Sequence, residues 1–235
     1  MVNDLSGKVD GLLFDKDGTL IDFHGTWDVW AGEIIAHLAG GDADLRDKIA
    51  RVIDFDLDLG CLRPESIAIA ETNRDISQVV ADVLPGRHVD EVEQFLITSG
   101  ANAPVVPVLP LGPYLSALTA QGLILGLLTN DSEFGARAHL KTMDIEAHFD
   151  FIAGFDSGFG AKPAPEPLLH FAGHHGLTPA RVAMVGDSVH DLMAGRAAGM
   201  QTIGVLTGPA KERHLAPHAD VIFPDIGHIP AWLAA

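Results

Sequence analysis

Six short apolar runs recur along the chain: VDGLLF (9–14), LILGLLT (123–129), FDFIAG (149–154), RVAMVG (181–186), QTIGVL (201–206) and ADVIF (219–223). Segments with helical patterning flank them, such as GPYLSALTAQ before LILGLLT and EFGARAHLKTM after it. A strand that is apolar along its whole length, rather than at alternate positions, is covered on both faces. Strands of that kind alternating with helices imply crossover units and a parallel sheet between two helical layers. The expectation is therefore an α/β fold, a doubly wound, Rossmann-like parallel sheet.

One interval breaks the alternation. Residues 23–99 contain no convincing strand and read as helices: TWDVWAGEIIAHLAG, ADLRDKIARVIDFDL, PESIAIAET, DISQVVADVL and VDEVEQFLITS. Thr26, Asp42, Asp75 and Asp90 are residue types suited to cap them. The interval is too long for a loop, so an all-helical cap with its own small core is expected at 23–99. The sheet domain then comprises 1–22 and 100–235. ANAPVVPVLPLGP (101–113) holds four prolines and is expected to be the return linker, since proline is excluded from helix interiors.

Ligands of open parallel sheets bind beyond the carboxyl ends of the strands, so the residues following each run carry the functional expectation. The first run ends in Asp15-Lys16-Asp17-Gly18-Thr19, the second in Thr129-Asn130-Asp131 and the fourth in Gly186-Asp187-Ser188, with Asp191 beyond; Lys162 follows the third. Strand alternation sends Asp15 and Asp17 to one side and Lys16 to the other. Two adjacent carboxylates repel and raise each other's pKa, a cost tolerated where a cation sits between them or where one carries a proton. Gly18 lets the backbone turn tightly and approach a ligand. Each element alone has a bland reading as a turn or a helix cap; their order and common position do not.

This set resembles the haloacid dehalogenase superfamily, specifically its phosphatases: DxDGT at 15–19, Thr129-Asn130 after a hydrophobic strand, Lys162 in KPAPEPL, and GDSVHDLMAGRAAGM at 186–200. The helical insertion looks like the family's first cap type. The resemblance implies that Asp15 attacks phosphorus to form an aspartyl-phosphate and that Asp17 is the acid–base residue. It assigns Mg²⁺ to Asp15, the backbone carbonyl of Asp17 and Asp187. Lys162 would balance charge beside the nucleophile. Gly18, Thr19, Thr129 and Asn130 would cradle phosphate, Thr129 through its hydroxyl and the other three through their backbone N–H groups, with Asp191 and Ser188 supporting. The implied substrate is a small phosphorylated metabolite, phosphoglycolate-like or a sugar phosphate.

Competing chemistries leave different marks. A dehalogenase on this core has no need of a metal or of Asp17. A phosphonate hydrolase needs a cap lysine, and Lys48, the one lysine of 23–99, sits on an amphipathic helix as a surface residue would. A phosphomutase shares the core and differs in how slowly its aspartyl-phosphate hydrolyses. A receiver-like phospho-switch would carry its phosphorylated aspartate on the third strand.

Composition narrows the partners. A net charge of −17 over 235 residues repels nucleic acid, and no apolar run approaches the roughly 18 residues of a membrane span. The lone Cys61 excludes an intrachain disulfide. MVNDLSGKVD shows no basic stretch leading into a long apolar one, so a cytoplasmic location is expected. In the insertion, His24 reads as a linker histidine. Arg63, Asn73 and Arg74 are candidates to bind a substrate carboxylate or sugar, or to be solvated. Trp27, Trp30 and Trp232 are expected to pack. Oligomeric state leaves no signal.

Overall fold

The computed structural model describes residues 9–69 and 71–235; residues 1–8, which the sequence assigns to the sheet domain and which form most of the N-terminal stretch read above, lie outside them. The elements in order are β1 (Gly11–Phe14), α1 (Phe23–Ala39), α2 (Ala43–Val52), β2 (Phe55–Asp56), β3 (Cys61–Leu62), α3 (Asn73–Val83), α4 (Val89–Gly100), α5 (Leu111–Thr119), β4 (Ile124–Leu128), α6 (Glu133–Thr142), β5 (Phe151–Ala153), α7 (Glu166–His174), β6 (Val182–Gly186), α8 (Val189–Ala197), β7 (Gln201–Val205), α9 (Glu212–Leu215), β8 (Val221–Phe223) and α10 (Ile229–Leu233). All six apolar runs are strands of one parallel sheet, ordered β5-β4-β1-β6-β7-β8.

The runs are apolar throughout because both faces are covered. Leu12 and Phe14 join a cluster on one face with Leu115 and Leu118 of α5 and Leu140 of α6. Leu13 points the other way, to Leu168 and Phe171 of α7. All three β1 side chains are fully buried; each such burial stabilises the fold by roughly 1.5–3 kcal/mol. β1 pairs with β4 and β6, and Phe14 stands level with Leu127 and Val185. The residues that follow these three therefore emerge along one edge, where the chain, having built outward through β4 and β5, returns to the other side of β1.

The insertion differs from expectation in three ways. It is not all helical: β2 and β3 form a two-residue antiparallel hairpin. Its turn is built by Asp56, whose carboxylate accepts from the N–H groups of Asp58 and Leu59, and by Gly60 at φ 70°. Four strand residues leave no period to detect. PESIAIAET yields only a 3₁₀ turn at Ile67–Ile69. Three of the four expected caps are displaced. Asp22 caps α1, accepting from Gly25 N–H at 2.6 Å, where Thr26 was expected. Thr72 caps α3, with Asp75 as the third residue of a capping box, and His88 rather than Asp90 precedes α4. Asp42 caps α2 as expected.

The insertion has a hydrophobic cluster of its own, with Ile35, Ile49, Val80 and Leu96 at its centre. The proline-rich return segment ends earlier than expected. Pro110 is the N-cap of α5 and Pro113 lies in its first turn, where a missing N–H breaks no helical hydrogen bond. Among the described residues no helix is long and apolar enough to cross a membrane.

Candidate active site

β1 stops at Phe14, one residue short of the paired carboxylates, so strand alternation no longer governs Asp15, Lys16 and Asp17. Asp15 is fixed by its N–H, which donates to Val185 O at 2.8 Å. Its carboxylate meets the Lys162 ammonium at 2.5 Å, and the same ammonium meets Asp191 Oδ1 at 2.6 Å. The other oxygen of Asp191 accepts from Ser188, from the hydroxyl at 2.7 Å and from N–H at 3.0 Å, closing a capping box that starts α8. Asp191 is thus fully committed, to a lysine on one side and to its own helix on the other.

Lys162 is held as firmly. The Asn130 side chain donates to Lys162 O at 2.9 Å and accepts from Lys162 N–H at 3.0 Å. The Asn130 amide therefore positions the lysine. Thr129 Oγ1 accepts from Asp131 N–H at 3.0 Å.

Asp187 completes the acidic group. Carboxylate oxygens of Asp15, Asp187 and Asp191 all lie within 4.8 Å of one another, and all three residues are buried. Two glycines permit this packing. Gly18 sits at φ 77°, and a Cβ there would collide with the Asp187 carboxylate; so would a Cβ at Gly208. Burial, opposed by Lys162 and reinforced by Asp191 and Asp17, pushes the Asp15 carboxyl up to about 7. Burial first, then Asp15 and Asp191, raises Asp187 well above the usual carboxylate range. Burial would lower Lys162, but Asp15 and Asp191 outweigh it and hold the ammonium above its ordinary range. One buried ammonium faces three carboxylates. A hard divalent cation with oxygen ligands fits that deficit of positive charge, and Asp15 and Asp187 are the two carboxylates free to take it.

Two expectations require correction. The backbone N–H groups of Gly18 and Thr19 are used inside their own loop, donating to Ile21 O at 2.7 Å and Lys16 O at 3.4 Å. Gly18 contributes room instead, and Thr19 sets its hydroxyl 3.5 Å from Asp187 Oδ1. Lys16 does not turn away from Asp17. It is fully buried, its ammonium 2.8 Å from Asp17 Oδ2, 3.2 Å from Asp131 Oδ2 and 3.1 Å from His139 Nδ1.

This second cluster was not anticipated. The Lys16 ammonium donates to His139 Nδ1, so the ring proton lies on Nε2 and is given to Gly100 O at 2.8 Å. Burial, and then the neighbouring Lys16, keeps His139 below its ordinary pKa. Burial alone would raise Asp131, but the Lys16 charge prevails and brings it lower. Trp27, expected only to pack, also donates its indole N–H to Asp17 Oδ1 at 2.7 Å. Asn73 of α3 donates to Asp131 Oδ1 at 2.8 Å. Asp17 is therefore oriented jointly by the sheet edge and by the insertion.

Other insertion candidates fall elsewhere. Arg74 pairs with Asp90 and Glu93, and Arg63 with Asp56. His24 is half exposed and pairs with Asp28.

Known proteins resemble this chain in sequence and in fold. The chain is 42% identical over 94 residues to a phosphoglycolate phosphatase of Salmonella paratyphi A, a match covering 40% of this chain and 37% of that relative. The chain thus matches little more than a third of the length of this curated relative. A predicted phosphoglycolate phosphatase from Haemophilus somnus 129PT superposes with a TM-score of 0.72 at 21% identity, covering 95% of this chain and 97% of that one. The L-2-haloacid dehalogenase of Xanthobacter autotrophicus gives a TM-score of 0.63 at 17% identity, covering 97% and 99%. At such identities these structures establish the fold alone. A family match runs over residues 9–199, a span that holds Asp15, Thr129, Lys162 and Asp187. By that match, the chain belongs to the haloacid dehalogenase-like hydrolase family.

Proposed function

We propose that this chain is a Mg²⁺-dependent phosphomonoester hydrolase that acts on a small phosphorylated metabolite through an aspartyl-phosphate on Asp15. The sheet domain, 1–22 and 100–235, carries the chemistry, and the cap, 23–99, covers it. The observation that carries this reading is the Lys162 ammonium bridging Asp15 and Asp191 beside Asp187 at the strand ends. The relatives named as phosphoglycolate phosphatases support it.

A carboxylate nucleophile divides one difficult displacement into two. Asp15 attacks phosphorus, and the bond from phosphorus to the ester oxygen breaks. Asp17 gives its proton to the departing alkoxide. The resulting carboxylate then takes a proton from water, which attacks phosphorus and releases phosphate from Asp15. Trp27 and Lys16 hold Asp17 in place for both transfers. Thr129 accepts from Asp131 N–H, which leaves its hydroxyl proton for a phosphate oxygen. Asn130 is assigned the neighbouring phosphate contact, in addition to positioning Lys162. Lys162 stabilises charge on the transferring group, which is where catalysis of phosphoryl transfer resides, and a bound cation would supply further positive charge there. Asp15, Asp187 and the Asp17 carbonyl would hold the cation.

The test is phosphate release from a panel of phosphomonoesters, with Mg²⁺ or chelator, for wild type and Asp15→Asn. Metal-dependent turnover abolished by the substitution is expected. Persistence of turnover in Asp15→Asn overturns the covalent route. Stable labelling of Asp15 by acetyl phosphate without net hydrolysis points to a mutase or a phospho-switch.

A further inference from the structure

The cavity that holds Asp15, Asp17 and Lys162 shares three wall residues, Ile69, Ser188 and His190, with a neighbouring cleft of about 440 Å³. One bank of this cleft belongs to the insertion, at Pro64, Glu65 and Ile69. The other is the start of α8 and the segment that follows β7, which brings Lys211, Arg213 and His214 to the cleft.

Charge sets this place apart. The protein carries a net charge of −17. Among the described residues, the lysines and arginines that pair with no carboxylate are Lys48 and Arg51 of α2, and Lys211 and Arg213 of the cleft. Arg213 Nε donates to His214 Nε2 at 3.1 Å, so both terminal nitrogens of its guanidinium lack a partner among the described residues. Glu65 is the one carboxylate in the wall, against two full cations and two imidazoles.

The segment that bears these cations is tied to the reaction centre. Thr207 Oγ1 donates to Gly18 O at 2.6 Å. Gly208 packs so closely on Asp187 that a Cβ would collide with the carboxylate. Lys211 lies three residues beyond Gly208, a reach of about 10 Å at full extension. A molecule reacting at Asp15 and extending past His190 meets both cations within that span. A phosphate dianion suits them, since it balances two charges and offers a guanidinium two oxygens at once.

We propose that the cleft is a second phosphate site, where Lys211 and Arg213 hold a distal phosphate on the leaving group, and that the preferred substrate is therefore an elongated bisphosphate hydrolysed at one end. The proposal rests on the phosphatase reading above and deepens it by naming the substrate class.

The experiment is a kcat/KM series in Mg²⁺ for the α,ω-bisphosphates of ethane-, butane-, hexane- and octanediol, each set against the monophosphate of the same diol, with ω-carboxyalkyl phosphates of matching length alongside. Contacts to a remote part of a substrate lower the barrier at its reacting end. An exposed ion pair is worth up to about fivefold, so two predict a bisphosphate preference of about tenfold per reacting end at butane- or hexanediol, and little at ethanediol, which is too short. A carboxylate end, with one charge, should gain about threefold at most. Raising ionic strength from about 0.05 M to about 0.5 M should remove most of the preference, because exposed charges are screened. In Lys211→Met/Arg213→Met the preference should fall to about one. Lys48→Met/Arg51→Met changes the net charge equally from α2 and should leave the preference at its wild-type value. Each value is a ratio between two substrates of one preparation, so partial misfolding does not imitate the effect.

A preference below about threefold at every length overturns the second site. So does a preference that survives Lys211→Met/Arg213→Met, one that Lys48→Met/Arg51→Met reduces equally, or a carboxylate end that matches the phosphate end. In each of these cases Asp15-dependent turnover of the monophosphates still upholds the phosphatase. Absence of Asp15-dependent turnover on every ester overturns the phosphatase reading and the substrate class with it.

Discussion

Lys16→Met tests whether the buried cluster beneath Asp17 is a structural necessity. The native ammonium has no solvent exposure and stands within 3.2 Å of two carboxylates whose side chains are 16% and 12% exposed. Methionine approximates its length and removes only the charge and the donors. Asp131 would then keep Asn73 and Ser132 N–H as donors but lose its counter-charge, and Asp17 would keep only Trp27. Breaking a buried pair from one side costs about 3–5 kcal/mol. For a chain of this size each kcal/mol lowers Tm by roughly 2–4 °C, so a fall of about 6–20 °C is expected. Differential scanning calorimetry of the metal-free protein measures it. Because the damage is an orphaned charge rather than lost packing, Lys16→Met/Asp131→Asn should recover about half of the loss, a coupling that a double-mutant cycle isolates. A single-variant shift below about 2 °C, or a double variant no better than the single, would refute the reasoning, since water would then be serving these carboxylates.

Three further expectations follow from the same geometry. Asp131 is held below the usual carboxylate range, so its contribution is complete above the unfolded value of about 4 and is lost as pH falls through the folded one. Thermal scans between about pH 6 and about pH 3 should show wild type losing Tm more steeply than Asp131→Asn. Gly208→Ala pushes a Cβ into the Asp187 carboxylate; Mg²⁺ titration of activity should show activation weakened by about 10–100-fold, as when a ligand's surroundings are disturbed. Asn73→Ala removes the donor that α3 offers to Asp131. Hydrogen exchange in α3 should accelerate by about 10–100-fold, the loss of one hydrogen bond to a charged partner, with β1 and β6 unaffected.

Six strands were legible because burial on both faces writes a strand as an unbroken apolar run, a signal that needs no neighbour to interpret. The positions of Asp15, Thr129, Lys162 and Asp187 were legible because each follows such a run. What escaped depends on distance or on brevity. The hairpin at Phe55–Asp56 and Cys61–Leu62 is too short for any period. Cap residues shifted because several side chains near each helix start are chemically able to cap, and packing chooses between Thr72 and Asp75. Lys16 was misplaced because alternation was carried past the end of β1, and its partner His139 is 123 residues away.

The two-way bond between the Asn130 side chain and the Lys162 backbone joins segments 32 residues apart as one rung of a ladder would. Its consequence is a matter of when entropy is lost. Ordering a residue's backbone costs about 1–2 kcal/mol, and a lysine side chain carries about 2 kcal/mol of rotamer freedom. Here both are surrendered once, as the chain folds, since Asn130 fixes the backbone and Asp15 and Asp191 fix the ammonium. A ligand arriving between them meets a charge whose positional noise is that of the sheet, although the residue bearing it belongs to a loop.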